Sequence, residues 1–410
     1  MKSSLLVKFV LILLIYLFIE GFIYLGLLLL QKSYDIHYDP NISVLSDKQR
    51  LNLTNFVKRR IGEFTDWDPI LGWVNSSKRN SAGMRDNREY ARVPSGDTIR
   101  ISAFGDSFTY GSDVSLDDTW EKQIMIIDPS LEVLNYGVSA YGLDQAYLRY
   151  LKVGTEYNPQ IVFIGFMSEN IARSVNVFRA FYTRWYRDVI FTKPRFKVKD
   201  GQLVLLRNPL STLGDYEYFL KNESEVLSKL GENDYHYQTK YNRGPLDFLP
   251  SVRLLKILNH TIRTRITDPI FNLKGMYNAN SEAYLVTVNI FDTFYRKVLE
   301  NGALPVIIIF PDISDQRRSR NNEKRRYTPL INYLLAKRYY YIDTLDALEP
   351  YESRLSVDDL VENWGHYSPM GNRIIARYIY RNLKNWGLTD LSQLKNTIEE
   401  ERKHMRATAR

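Results

Sequence analysis

The sequence of 410 residues contains no cysteine, which excludes disulfide bonds and thiolate metal sites. It has only five histidines, and none stands at the spacing of a zinc site, so we expect no metal. A phosphate-binding loop and a dinucleotide-binding fingerprint are also absent, and no cofactor is predicted.

The composition is that of a globular protein, with 44% hydrophobic and 25% charged residues. A net charge of +8 can favour anionic surfaces, but the positive charges are scattered. The densest run is "RRSRNNEKRR", Arg317 to Arg326. We interpret this run as a solvated loop and expect no nucleic-acid partner.

An apolar run, "FVLILLIYLFIEGFIYLGLLLL", extends from Phe9 to Leu30. A helix of this length spans about 33 Å, enough to cross the hydrocarbon core of a bilayer. The run is long for a signal peptide and no A-x-A-like cleavage site follows, so we predict an uncleaved signal anchor. Lys2 and Lys8 precede it, and the positive-inside rule then places the N-terminus in the cytoplasm. The rest of this single-pass chain is expected in the periplasm or outside the cell.

Glu20 interrupts the apolar run, and an ionised carboxylate there costs on the order of 2.5–3.5 kcal/mol. Two interpretations remain open. Either a partner helix satisfies the carboxylate, or one helix tolerates it beside Gly21 in a protonated or snorkelling form.

The remaining chain divides by pattern into four parts. Residues 34–97 are polar and predicted to be an irregular extension, residues 98–170 and 280–390 alternate strands and helices, residues 171–279 form an insert, and residues 391–410 form a charged tail. Strands are predicted at Thr98–Phe104, Leu131–Gly137, Gln160–Phe166, Leu304–Phe310 and Tyr339–Thr344. This alternation predicts an α/β protein, a three-layer α/β/α sandwich of flavodoxin-like type around a mostly parallel sheet.

Sites in such sheets lie beyond the carboxyl ends of the strands. Ser107 in "GDSFTYG" follows the first strand, the second strand ends at Gly137 in "NYGVSAYG", and Asn170 in "GFMSENIARS" follows the third. His366, in "NWGHYSPMGN", precedes the last helix. Serine with histidine forms a nucleophile and its base, and the Ser107 and Gly137 N–H groups with the Asn170 amide can stabilise an oxyanion.

These four blocks, in this order, resemble the SGNH (GDSL-type) hydrolase superfamily over residues 98–170 and 281–385. "DPILGW", "NYGVSAYGLDQAYLRY" and "GFMSENIARSVNVFR" further resemble a membrane-anchored bacterial subgroup that accompanies surface polysaccharide production. The resemblance implies that Ser107 is the nucleophile and His366 the general base. Asn170 is aligned as the oxyanion donor, although "SEN" replaces the family's usual Asn followed by Asp.

The third catalytic residue departs from the family pattern, because Asn363 stands where an Asp is usual. Asn363 can orient a neutral imidazole, Asp359, Asp358 or Glu362 can reach His366, or a backbone carbonyl can replace the acid. We interpret Asp106 as a turn-stabilising acceptor, and Asp113 as a loop acid.

The aromatic and arginine-rich part of the insert, Phe178 to Phe196, is predicted to cap the site. Its aromatic residues either bind an acidic sugar polymer or form the cap's own small core.

The sequence therefore predicts a membrane-anchored serine esterase acting on acyl esters, most plausibly O-acetyl groups of a surface polysaccharide. An O-acetyltransferase with the same site and a non-catalytic carbohydrate-binding or assembly scaffold are the alternatives. A lipase is a weaker one, because the charged insert does not suggest an apolar acyl pocket.

Overall fold

The chain is described by a computed structural model over residues 2–33, 44–59, 65–75, 79–182, 189–240, 244–267, 269–362 and 365–408. The strands in these ranges are β1 (Thr65–Asp68), β2 (Gly72–Asn75), β3 (Ile99–Phe104), β4 (Leu131–Asn135), β5 (Ile161–Met167), β6 (Arg195–Lys199), β7 (Gln202–Leu206), β8 (Leu304–Phe310) and β9 (Tyr341–Asp343). The α-helices are α1 (Lys2–Ser33), α2 (Asp47–Arg59), α3 (Ser107–Tyr110), α4 (Trp120–Ile127), α5 (Leu143–Val153), α6 (Asn170–Arg173), α7 (Arg179–Tyr182), α8 (Leu213–Lys221), α9 (Glu223–Gly231), α10 (Tyr235–Lys240), α11 (Pro250–Ile262), α12 (Glu282–Glu300), α13 (Ile313–Arg320), α14 (Thr328–Lys337), α15 (Leu345–Leu348), α16 (Val357–Leu360), α17 (Pro369–Asn385) and α18 (Leu391–Thr408).

Five parallel strands form the central sheet, in the order β4-β3-β5-β8-β9. Counted along the chain this order is 2-1-3-4-5, which is the flavodoxin-like arrangement. All five predicted strands are present, so the predicted α/β class and parallel sheet are confirmed. The central strands β5 and β8 are buried at every residue, as continuous apolar runs in a covered parallel sheet should be.

The sheet separates two hydrophobic clusters, as a three-layer sandwich requires. Alternate residues of β5 enter opposite clusters, with Val162 and Ile164 on one face and Ile161 and Phe163 on the other. Helices α5, α12 and α14 cover the first face, and α4, α17 and α18 cover the second. The carboxyl ends of the strands therefore open between two packed helical layers.

The N-terminal extension is more regular than predicted, because it contains α2 and the antiparallel hairpin β1–β2. Both pack on the rest of the chain. The Phe56 ring of α2 lies 4.8 Å from the Phe191 ring of the insert, and the Trp73 indole of β2 donates to the Ser139 carbonyl at 3.0 Å. Tertiary contacts rather than local periodicity stabilise these elements.

Aromatic residues in the described part of the insert form its own core. Phe178, Phe181 and Phe219 are fully buried, and the Phe178 ring lies within 5.9 Å of both others. This packing favours the second interpretation of the insert. Residues 183–188 of the predicted cap lie outside the described residues.

The arginine-rich run from Arg317 to Arg326 is tied into the fold, contrary to the solvated loop that we predicted. Its first half lies in α13. Arg325 pairs with Asp343 and with Asp346. Arg326 pairs with Asp312, the N-cap of α13, and with Asp315 inside the helix. The guanidinium groups of Arg325 and Arg326 therefore pair with carboxylates of the same domain.

The predicted charged tail is helical over its described residues. It forms α18, which buries Leu394 and Ile398 against the second face of the sandwich. The Tyr295 hydroxyl of α12 further contacts Glu401 at 3.3 Å.

Helix α1 contains a stretch of 25 residues, Leu5–Leu29, long and apolar enough to cross a membrane or to act as a signal sequence. Glu20 is an exception on its exposed surface, since it is buried against α11. The Ser251 N–H donates to its carboxylate at 2.9 Å, and the Ser251 hydroxyl donates to the other oxygen. The carboxylate is thus satisfied within the chain, and a separate partner helix is not supported.

Candidate active site

Ser107 begins the short helix α3 directly after β3, and small residues let this helix sit on the sheet. A Cβ atom on Gly105 would overlap the Thr109 side chain, and one on Gly137 would overlap the Tyr110 backbone. Gly137 is therefore required for packing α3 rather than for substrate approach alone. The result is a serine presented at the carboxyl end of a central strand.

Asp106 connects this serine to Asn170. One carboxylate oxygen of Asp106 accepts the Phe108 N–H at 2.9 Å and caps α3, as predicted for a turn acceptor. The other oxygen accepts the Asn170 side-chain amide at 2.8 Å. Burial raises the pKa of Asp106, and the nearby Arg173 guanidinium, 3.8 Å away, opposes that rise. Asp106 thus orients the predicted oxyanion donor.

The predicted oxyanion donors differ in availability. Within the described residues the Ser107 N–H has no hydrogen-bond acceptor, and the Asn170 amide keeps a second hydrogen beyond the one given to Asp106. The Gly137 N–H, by contrast, donates to the Asn135 side chain at 2.9 Å, which argues against its predicted role. Ala140, three residues on, has a left-handed φ of 66° and an N–H without an acceptor in the described chain.

His366 meets a carboxylate that sequence reasoning assigned to a loop. Its Nδ1 lies 2.6 Å from Oδ2 of Asp113, although 253 positions separate the two residues. The two side chains retain 17% and 31% of their exposure. Asp113 has φ of 68°, a left-handed conformation that costs a non-glycine residue energy and is concentrated at functional sites.

The residues predicted to orient His366 are placed differently. The Asp359 carboxylate caps α16 by accepting the N–H and hydroxyl of Ser356 at 2.8 and 2.7 Å. Asn363 lies outside the described residues. The carboxylate that contacts His366 is therefore that of Asp113, in the loop after α3, and not one close to His366 in sequence.

Ser107 and His366 are linked in the described chain through Phe108. In the described chain neither the Ser107 hydroxyl nor Nε2 of His366 makes a hydrogen bond. The Phe108 ring, next to Ser107 in the chain, nevertheless packs edge-on to the imidazole at 5.3 Å. Catalytic hydrogen bonds are often long before substrate binds, so this geometry suits a serine–histidine pair.

Arg85 of the N-terminal extension holds the loop that carries Asp113. Its guanidinium donates to the carbonyls of Tyr110 and Gly111, and to that of Val114 at 2.7 Å. The same group lies 4.4 Å from the centre of the Tyr110 ring. Beneath it, burial raises the pKa of Glu121 well above its usual range. Sequence reasoning missed both residues, because neither belongs to a recognisable motif.

No group of His, Asp and Glu suited to a metal ion occurs among the described residues.

No family model matches the chain, and no curated protein matches it either. Among solved structures it is similar to a member of the G-D-S-L lipolytic family from Veillonella parvula (10% identity, 69% of this chain and 97% of the other, TM-score 0.34). Others are a lipase/acylhydrolase from Enterococcus faecalis (14%, 70% and 96%, TM-score 0.32) and an acetylxylan esterase from Geobacillus stearothermophilus (11%, 70% and 95%, TM-score 0.35). These likenesses are distant, so the architecture rests on the sheet order and the activity on the residues of the rim.

Proposed function

We propose that the chain is a serine esterase with Ser107 as nucleophile, His366 as general base and Asp113 as the acid. The observation that carries this proposal is the 2.6 Å contact between Nδ1 of His366 and Asp113, beside the loop that presents Ser107. A carboxylate on Nδ1 fixes the imidazole tautomer and leaves Nε2 for the serine hydroxyl. This arrangement supplies the acid that Asn363 cannot.

The reaction follows from these positions. Ser107 Oγ attacks the acyl carbon while His366 takes its proton, and the oxyanion is held by the Ser107 N–H and the Asn170 amide. His366 returns the proton to the leaving alcohol, which departs and leaves an acyl-serine. Water, deprotonated by His366, then releases the acid and restores Ser107.

The substrate that we propose is a small acyl ester, an O-acetyl group on a surface polysaccharide. The resemblance of "DPILGW", "NYGVSAYGLDQAYLRY" and "GFMSENIARSVNVFR" to the membrane-anchored subgroup supports this class. The partial exposure of His366 and Asp113 supports water as the acceptor, because a transferase must keep water from the acyl-enzyme.

We further propose that α1 anchors the enzyme in the membrane with the site outside the cytoplasm. Lys2 and Lys8 support this orientation. The hydrogen bonds from Ser251 to Glu20 support a retained anchor, because they join α1 to the folded chain and a cleaved signal sequence needs no such contact.

Hydrolysis of p-nitrophenyl acetate by the full chain in detergent tests the proposed activity. Ser107→Ala should lower kcat/KM at least about a hundredfold without changing the melting temperature. Ser112→Ala is the matched control, since Ser112 lies in the loop after α3 and its hydroxyl, in the described chain, bonds to the Ser139 hydroxyl. Equal rates for wild type and Ser107→Ala would favour a non-catalytic scaffold, and a preference for long acyl chains would favour a lipase.

A further inference from the structure

Helix α11 packs lengthwise against the proposed anchor. Leu254 and Ile257 of α11 form a hydrophobic cluster with Ile23 and Leu27 of α1, one turn beyond the Glu20–Ser251 contact. Both helices run in the same direction, because the N-terminal contact of α11 meets Glu20 and the later one meets Leu27. From Glu20 to Leu27 they share about 10 Å of depth. Whatever surrounds this part of α1 must therefore also meet α11.

A second apolar face of α11 has no partner in the described chain. Leu255, Leu258 and Ile262 are three and four positions apart and so lie on one face, which we call the outer stripe. Their exposures are 65%, 49% and 47%. Further exposed apolar residues lie before and after the helix in the chain, at Leu246, Phe248, Ile266 and Leu273. A contiguous apolar patch of this kind marks an interaction site rather than ordinary surface.

Basic residues predominate along the segment, and one of them, Lys256, is paired with Asp247 just before the helix. Between Pro250 and Thr267 there are four basic residues and no acidic one: Arg253, Lys256, Arg263 and Arg265. Arg253, Lys256 and Arg263 lie on the helix side opposite the outer stripe. Basic side chains on such a helix can extend towards anionic headgroups while its apolar face stays among the acyl chains.

We infer that α11 is a second membrane-binding element, which places its outer stripe in the outer leaflet of the bilayer that α1 spans. This inference rests on the proposed anchoring. The occupant is lipid because Leu255 and Leu258, the part of the outer stripe level with Glu20 to Leu27, stand beside the exposed apolar surface of α1. Two attachments, rather than one flexible tether, would then fix the distance and direction of the Ser107 site from the membrane.

The absence of cysteine makes a direct test possible. Single substitutions Leu258→Cys and Ile262→Cys, labelled with an environment-sensitive fluorophore, are placed in the full chain and reconstituted into phosphatidylcholine–phosphatidylglycerol vesicles. Phe18→Cys, in the exposed surface of α1, is the positive control, and Leu335→Cys, exposed on α14 far from α1, is the negative control. Hydrolysis of p-nitrophenyl acetate checks each variant for folding, since none of these residues belongs to the site.

Lipids that carry a nitroxide quencher on the acyl chain should lower the fluorescence at Leu258 and Ile262 roughly twofold, close to Phe18 and unlike Leu335. Quenching at Phe18 together with Leu335-like behaviour at Leu258 and Ile262 would overturn the role of α11 and leave the anchor intact. Labels on α11 whose emission is blue-shifted but not quenched would show that protein covers the outer stripe. This result would also overturn the role of α11. Failure at Phe18 would remove the anchor and the role of α11 together, whatever the esterase assay shows.

Discussion

Asp106 and Asn170 are each 1% exposed, whereas the side chains of His366 and Asp113 keep 17% and 31% of their exposure. The first pair forms a buried half of the site, joined to Ser107 by the cap of α3. The second pair forms an exposed half, held by one carboxylate contact and the edge of Phe108. The comparison indicates that changes in the buried half should affect both folding and chemistry, whereas changes in the exposed half should affect chemistry alone.

Asp113→Asn should have the largest effect on activity, and it tests whether a change in the exposed half affects chemistry alone. The amide cannot stabilise the imidazolium and favours the wrong tautomer, so kcat/KM for p-nitrophenyl acetate should fall on the order of a thousandfold. The melting temperature should not change, because the carboxylate is partly solvated.

Asp359→Asn is the matched control for this change. Its carboxylate caps α16 and does not contact His366, so activity should stay near that of the wild type. A large loss with Asp359→Asn and none with Asp113→Asn would return the acid to the position before His366.

Asn170→Ala tests the buried half. Loss of the amide removes an oxyanion donor and should lower kcat about a hundredfold. It also leaves Asp106 buried with one partner fewer, which should cost roughly 1–3 kcal/mol of unfolding free energy. Thermal unfolding and kinetics of the same preparation check both effects. A variant that loses stability but keeps kcat would show that Asn170 only supports Asp106.

The difference between the halves also explains what could be predicted from the sequence. Ser107, Asn170 and His366 follow strands or precede a helix, and the strand pattern alone places such positions at one rim. Asp113 could not be found this way, because its partner is 253 positions away and its left-handed loop has no periodic signal. Gly137 was predicted to donate to the oxyanion, whereas a glycine is needed there because a Cβ atom would overlap the backbone of α3. The hairpin and α2 of the extension were missed because burial of Phe56 and Trp73, not local propensity, stabilises them.

Arg85→Lys tests whether the exposed half depends on a buried support. A lysine cannot reach three carbonyls in a fixed fork, so the loop that carries Asp113 should loosen. We expect kcat to fall about tenfold with KM unchanged, because Arg85 positions the acid without touching substrate. A purely structural role would lower the melting temperature and leave kcat of the folded fraction unchanged.

Glu121→Gln probes the same support with the smallest expected effect. Burial raises the pKa of Glu121 in the folded protein, while the charge of Arg85 opposes the rise. The folded chain therefore holds a proton that the unfolded chain releases above about pH 4.3, and wild-type stability falls as pH rises towards the folded pKa. Glutamine keeps the shape without this penalty, so the variant should gain roughly 1 kcal/mol over the wild type, and the gain should grow with pH. Denaturant unfolding on either side of neutrality measures it. A difference that does not change with pH would mean that Glu121 binds the same number of protons in both states, and that the support under Asp113 is an ion pair rather than a neutral acid.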